Sequence, residues 1–292
     1  MDICKFEKGI AKIYKINRKN FEDVTNKDKK YIKLNNRREN QYYAYCPECN
    51  NPIVLVNIFV TQEKNGTPIK IYGKHAGVGN PFGVFDQAKY ETCPLRKKNR
   101  VSFGSGEKHT NAEFAEKIKN AIIDNACKIK YFISKALSIE ISPKLFLNYV
   151  QEFDNSQGYY YKGLTIGNLP YLILYLSHQK SIQRQFIKKE CKDVVNKSKF
   201  FTLSEEKQIL LKNDYLTEKF PPNIITVFKN HIYNDANEQS FIFQVYEKFN
   251  FKEYLLYEKK ITFELAYFYN LVNYSREKEC SIKDDVKFIL GK

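Results

Sequence analysis

The alternation of apolar and polar positions changes character near residue 105. Before that point the apolar residues come in short alternating runs, such as residues 9–16 and 52–60, and seven of the 12 glycines lie among them. Alternation with a period of two is typical of strands, and clustered glycines are typical of turns. Residues 1–105 are therefore predicted to form a β-rich, loop-rich module.

Beyond residue 105 apolar side chains recur every three or four positions, as on one face of a helix. Thr110 is the predicted N-cap of a helix of about 25 residues, and Glu113 completes a capping box with it. Ser142 followed by Pro143 predicts the start of a second helix. A third helix is predicted from Asn168 through the basic residues up to 190.

Further elements are predicted towards the end of the chain. A short helix is expected over residues 202–220, where two prolines end it. Residues 224–228 and 240–249 flank a turn-rich segment and favour a hairpin, although a helix is nearly as well favoured for the second run. Helices are also expected over residues 263–274 and from Ser281 onward. The predicted fold class is α+β, with a β-rich zinc-knuckle module at 1–105 and a mainly α-helical domain at 106–292.

Two cysteines separated by two residues carry the sharpest chemical signal. Cys46 and Cys49 lie between two predicted strands, and Asn50 follows them as one of the few residues other than glycine that readily adopt a positive φ. A structural zinc ion needs four ligands, and His75 and Cys93 are the nearest candidates. The full pattern is C-x2-C-x25-H-x17-C.

About residues 41–95 resemble zinc-ribbon or treble-clef modules, and the rest of the chain resembles no family. The second half of the pattern is H…C where those modules repeat C-x-x-C. The resemblance implies a structural Zn²⁺ that takes no part in catalysis. Two other interpretations of Cys46 and Cys49 stay open, a redox pair or two inert buried thiols, and His109 is the alternative fourth ligand if His75 is not one.

Charge indicates a polyanionic partner. The chain has 48 Lys and Arg against 33 Asp and Glu, which is a formal net charge of +15. Its hydrophobic residues make up 43% of the sequence, enough to form a sizeable core. Only seven of the basic residues are Arg, and the excess of Lys is also what a low-GC organism would encode. Two clusters flank the metal pattern and are predicted to contact nucleic acid: Arg37, Arg38, Arg96, Lys97, Lys98 and Arg100. A merely solvated lysine surface is the alternative.

No catalytic residue is assigned from the sequence. The four histidines form no paired motif, and Glu247 and Lys248 are adjacent, so they would face opposite sides of a strand rather than together complete a nuclease site. We expect neither a signal peptide nor a membrane span. We therefore expect a cytoplasmic, zinc-containing protein that binds DNA or RNA. The alternatives are a metal-dependent nuclease or defence-type effector, and a protein-interaction subunit of a larger complex.

Overall fold

A computed structural model of the chain describes residues 1–35, 37–60, 69–188, 192–216, 219–234, 238–274 and 281–291. The fold is mixed, with 36% helix and 27% strand, in agreement with the predicted α+β class. Strands recur along the whole chain. The predicted layout of a β-rich module followed by a mainly helical domain is therefore not confirmed.

The strands are β1 (Ile3–Cys4), β2 (Tyr14–Lys15), β3 (Ile32–Leu34), β4 (Asn40–Tyr45), β5 (Pro52–Val56), β6 (Tyr72–His75), β7 (Ile139–Glu140), β8 (Lys180–Ser181), β9 (Phe186–Ile187), β10 (Phe201–Leu203), β11 (Ile209–Leu211), β12 (Asn223–Tyr233), β13 (Gln239–Phe249) and β14 (Lys252–Thr262). The α-helices are α1 (Arg18–Thr25), α2 (Gln87–Thr92), α3 (Ala112–Asp124), α4 (Ala126–Leu137), α5 (Pro143–Asn155), α6 (Leu169–Leu176), α7 (Lys192–Asn196), α8 (Leu265–Tyr274) and α9 (Lys283–Ile289).

The N-terminal sheet is an antiparallel meander in the order β3-β4-β5-β6. Its middle strand β5 buries Ile53 and Leu55, and the register sets Ile53 opposite His75. Gly73 lies in β6 where a Cβ atom would come within 2.9 Å of Ile16 Cδ1 and 3.0 Å of Ile53 Cδ1. A larger residue at this position would force those side chains to move. The predicted turn at 64–68, which leads into β6, lies outside the described residues.

The long predicted helix after residue 110 is two helices. Asn111, and not Thr110, is the N-cap of α3, because its side chain accepts the Phe114 N–H at 2.9 Å. Asn125 interrupts the segment between α3 and α4, with a φ of −121° and its side-chain amide bonded to the Ala121 carbonyl at 3.0 Å. An asparagine side chain competes with the backbone for hydrogen bonds, which favours a break at that point.

The predicted start of α5 is confirmed, with Ser142 as N-cap and Pro143 in the first turn. The third predicted helix is wrong beyond Leu176, because α6 ends there and the basic stretch that follows forms β8 and β9. Burial explains the difference: Ile182 is fully buried and its N–H donates to the Ile224 carbonyl at 2.9 Å. A helix would lose this contact with the large C-terminal sheet.

The predicted helix at 202–220 is also wrong. Strands β10 and β11 form a hairpin there, with Thr202 opposite Leu210. Lys207 takes a φ of +68° in the turn, and Phe201 and Ile209 are buried. The two strands pair around a tight turn, so the helical spacing of apolar residues is coincidental.

The C-terminal sheet has the order β14-β13-β12-β8, and three of its strands are 11 residues long. The hairpin of β12 and β13 confirms the favoured prediction, but the sequence did not predict β14. Phe241, Phe243 and Val245 alternate along β13 and are buried under α6 and its neighbours. The helices α8 and α9 confirm the last two predicted, although α9 begins at Lys283 rather than at Ser281.

One hydrophobic cluster joins the two sheets and the helices between them, from Met1 to Leu290. Backbone groups of the N-terminal segment are also paired directly with α8. The Ile13 N–H donates to Asn270 Oδ1 at 2.9 Å, and Asn270 Nδ2 donates to the Ile13 carbonyl at 2.8 Å. A domain boundary near residue 105 stays a prediction.

Candidate metal centre

A tight turn between β4 and β5 holds Cys46 and Cys49 on one side of the sheet. The Cys46 N–H donates to the Asn51 carbonyl at 2.9 Å, and the Asn50 N–H donates back to the Cys46 carbonyl at 3.1 Å. Asn50 has a φ of +57°, which confirms the expected left-handed position after the second cysteine. This backbone geometry turns both thiols towards the same point.

The other two candidate ligands come from separate elements. His75 is the last residue of β6, and its pairing with Ile53 of β5 fixes its place in the sheet. Cys93 ends α2, where its N–H donates to the Tyr90 carbonyl at 3.2 Å. The Tyr90 ring also packs edge-on against the His75 ring, with centroids 5.0 Å apart. Helix α2 thus positions one ligand directly and supports the other.

The four side chains meet as the sequence pattern predicted. Their ligand atoms all lie within 4.8 Å of one another. The Cys46 and Cys93 sulfurs are 3.7 Å apart, and Cys49 Sγ is 3.3 Å from His75 Nε2. A tetrahedral ion with metal–sulfur bonds of about 2.3 Å needs sulfurs about 3.8 Å apart. The Cys3His cluster therefore has the spacing of a four-coordinate metal site, and the three cysteines are buried.

The protonation chemistry of the thiols also suits a metal. Hydrogen bonds from the Cys46 and Cys93 thiols lower the pKa of Cys49 well below its usual range, so this sulfur is the first to become a thiolate. Burial raises the pKa of Cys46. Three buried thiols crowded together cannot all ionise without a cation between them, and a bound metal ion displaces those protons.

Asn51 supports the site from outside the ligand set. Its side-chain nitrogen lies 3.4 Å from Cys49 Sγ, and its Oδ1 accepts the Asp86 N–H at 2.6 Å. The residue is almost fully buried. A buried amide that touches a ligand and also anchors the loop before α2 fixes the orientation of that ligand. Its only sequence signal was its place two residues after Cys49.

Two basic side chains lie within electrostatic range of the cluster. A divalent ion bound to three thiolates and one neutral imidazole leaves one net negative charge. Lys5 is buried, and Cys46, Glu48 and Cys49 act on its ammonium group, although burial still lowers its pKa. The Arg100 guanidinium is near enough to Cys93 and Cys46 to feel their charge. Sequence reasoning missed Lys5, which is brought to the site by pairing between Lys5 and Tyr45.

Glu48 joins the metal loop to the C-terminal helices. The Tyr269 hydroxyl on α8 donates to Glu48 Oε1. Burial raises the pKa of Glu48 to about 7, while the nearby Lys117 charge opposes that rise. Gly167 makes room for this tyrosine, since a Cβ there would lie 2.3 Å from the Tyr269 ring. The turn that carries two ligands is therefore anchored more than 200 residues away in sequence.

The predicted nucleic-acid residues fall into exposed and half-buried groups. Arg37 and Arg38 are exposed in the turn between β3 and β4, and Lys97 and Lys98 are exposed in a 3-10 helix. The remaining two are more enclosed: the Arg96 guanidinium lies 4.5 Å from the Tyr90 ring centre, and burial lowers the pKa of Arg100. Their contact with nucleic acid stays a prediction.

Other cysteines and histidines lie apart from the cluster. Cys4 is a buried free thiol, and Cys127 is disulfide-bonded. His109 is not in the metal cluster. His231 is buried in the aromatic core, stacked 3.9 Å from the Phe103 ring centre. The structure thus places His75, rather than His109, with the three cysteines.

Among the helices that the structure describes, none combines the length and apolar character needed to cross a bilayer.

Compared with models of known families, with curated proteins and with solved structures, the chain matches none. The likeness to zinc-ribbon and treble-clef modules therefore rests on the Cys3His cluster, and no family follows from it.

Proposed function

We propose that the Cys3His cluster holds a structural Zn²⁺ ion. Thiolate and imidazole ligands favour zinc over hard cations such as Mg²⁺ or Ca²⁺. Four protein ligands also fill a tetrahedral coordination sphere, which leaves no position for a substrate. The observation that carries this proposal is the mutual approach of four ligand atoms from three separate elements. The ion would hold β4, β6 and the end of α2 together.

We further propose that the protein binds nucleic acid through the exposed lysines beside this centre. Lys97 and Lys98 lie four and five residues after Cys93, and their loop is fixed to that candidate ligand because the Arg96 N–H and Asn99 Nδ2 both donate to the Cys93 carbonyl, at 3.0 and 2.9 Å. Because the backbone of this loop is already fixed, less conformational entropy is lost when the lysines bind phosphate. The net charge of +15 supports a polyanionic partner.

Metal analysis tests the zinc proposal. Protein purified without chelator is expected to contain about one zinc per chain, since the cluster offers one complete ligand set. Cys46→Ser and Cys49→Ser should lose it, and Cys4→Ser should keep it, because Cys4 is an equally buried thiol outside the cluster. A parent protein without metal, or full zinc retention in His75→Ala, would refute the assigned ligand set.

Salt-dependent binding tests the nucleic-acid proposal. Fluorescence anisotropy with single- and double-stranded DNA and RNA should show an affinity that falls steeply between about 50 and 200 mM salt. Replacing Lys97 and Lys98 by Ala should weaken binding to all sequences alike and reduce the salt slope by about two. The matched control replaces Lys259 and Lys260, another exposed adjacent pair on β14. Equal binding by the parent and the Lys97/Lys98 variant would remove this surface from the proposal.

A further inference from the structure

The turn between β13 and β14 carries a phenylalanine in an unfavourable backbone conformation. Phe249 lies opposite Lys252, so Asn250 and Phe251 alone form the turn. Both have a positive φ, of +48° and +64°. Asparagine followed by glycine is the usual pair in such a two-residue turn, because a bulky side chain is rarely accepted at the second position. A phenylalanine kept there at a cost in stability points to a use for its ring.

Exposed aromatic rings gather at this end of the C-terminal sheet. Phe251 is fully exposed, Phe220 is 73% exposed and Tyr254 is 37% exposed. Phe220 lies three residues before Asn223, which is opposite Lys248, so it joins the sheet at the same end as the turn. Large exposed apolar side chains grouped in this way mark a binding surface. We call Phe220, Phe251 and Tyr254 the aromatic end.

The aromatic end is supported by packed rings. The ring of Phe249, the last residue of β13, has its centroid 4.9 Å from that of Phe200 and 6.0 Å from that of Tyr215. The Phe200 and Tyr215 centroids are themselves 4.9 Å apart. Tyr254 is paired within the sheet, opposite Glu247. Two of the exposed rings thus project from a paired and anchored hairpin, which limits the entropy lost on binding.

A lysine accompanies each ring of the aromatic end. The ammonium groups of Lys219 and Lys199 lie 5.6 and 5.3 Å from two of the ring centres, and Lys252 follows the turn directly. Within the described part of the chain, these three lysines form no ion pair. The exposed carboxylates nearby are those of Asp214 and Glu253, and a lysine of β13 already binds the second. The described residues at this end therefore carry a net positive charge.

We propose that the aromatic end binds single-stranded DNA or RNA, with bases stacked on its rings and phosphates beside its three lysines. Exposed rings flanked by cations are a common means of holding single strands, and the stacking tolerates any sequence because every base has a π face. A duplex hides those faces between its base pairs. The proposal deepens the nucleic-acid function and rests on it, but it uses a different surface from Lys97 and Lys98.

Fluorescence anisotropy with single strands of about 12 nucleotides, oligo(dT) and oligo(U), and with a blunt duplex of equal length tests this surface. Phe251→Ala should weaken single-strand binding by about tenfold and leave duplex binding unchanged. Phe251→Leu should show the same loss, because leucine is apolar but has no π face, and Phe251→Tyr should bind as the parent does. The matched control is Phe288→Ala, which removes another exposed phenylalanine next to a lysine, on α9.

Equal single-strand binding by the parent and by Phe251→Ala would overturn the proposal. Full binding by Phe251→Leu would also overturn it, since that result would mean an apolar contact of the kind made with a bilayer or an apolar protein surface. If only this surface is wrong, Phe251→Ala keeps single-strand binding while the Lys97/Lys98 variant loses affinity. The reverse pattern would remove only the Lys97/Lys98 surface, and a parent that binds neither single strands nor duplex would refute both.

Discussion

The two four-stranded sheets are stabilised by different means. The N-terminal sheet has strands of three to six residues, and four candidate metal ligands cluster at one end of it. Three strands of the C-terminal sheet have 11 residues each, and a dense set of aromatic rings covers their inner face. Short strands bury too little apolar surface to be stable alone, and the proposed ion at their end would add the stability that they lack.

Loss of the metal should therefore affect the two sheets unequally, and this is the largest effect we expect. Cys49→Ser removes one of four ligands, and structural zinc binding in small modules is worth roughly 10 kcal/mol. Hydrogen exchange should become fast in β4, β5 and β6 while β12 and β13 stay protected. Cys4→Ser is the control. Zinc-free protein with an unchanged exchange pattern in the N-terminal sheet would show that the metal does not stabilise it.

Truncation of a ring in the aromatic core should have the opposite effect: it should destabilise the protein and leave the metal site intact. Phe243→Ala removes a fully buried ring that stacks on Phe228, with centroids 5.4 Å apart, and should lower the free energy of unfolding by about 3–5 kcal/mol. Zinc content should not change in the folded protein. Phe288→Ala, at an exposed position, should change stability by less than about 0.5 kcal/mol. Chemical denaturation of the three proteins measures both differences.

Acid should weaken the C-terminal half through His231. Its Nδ1 accepts the Phe103 N–H at 2.9 Å, and burial lowers its pKa to about 4 from an ordinary value near 6.5. The unfolded chain binds this proton first, so its contribution is complete above pH 6.5 and is lost as the pH falls towards 4. The loss amounts to about 3 kcal/mol.

The variant His231→Asn isolates the contribution of His231 protonation to stability, because an asparagine oxygen can still accept the Phe103 N–H but does not titrate. Unfolding free energies at pH 7, 5.5 and 4 should fall more steeply for the parent than for the variant. Parallel curves would mean that His231 is not held neutral by its surroundings.

The smallest expected effect concerns the metal turn itself. Asn50 has a left-handed backbone, so Asn50→Ala should cost about 1 kcal/mol and Asn50→Gly should be close to neutral. Thermal unfolding of the zinc-loaded protein measures the difference. Equal destabilisation by both substitutions would indicate that the side chain, and not the backbone conformation, matters at this position.

The metal set was the most predictable part of the molecule. Thiol and imidazole groups have few other reasons to occur at that spacing, and Asn50 gave an independent backbone signal. The helix predicted across Ile182 failed because helical spacing of exposed lysines says nothing about which backbone groups a distant strand will bond. Lys5 and Tyr269 could not be predicted either, since each reaches the site through pairing with residues remote in sequence.

The reciprocal bonds between Ile13 and Asn270 have a consequence for synthesis of the chain. Ile13 is buried, and its backbone N–H and carbonyl find their partner only after some 257 further residues have been added. Contacts of such long sequence separation form late and slow the folding of a domain. During translation the segment around Ile13 therefore keeps these backbone groups unpaired until α8 has left the ribosome, and early capture of the proposed zinc ion by Cys46 and Cys49 would order the neighbouring N-terminal sheet over that interval.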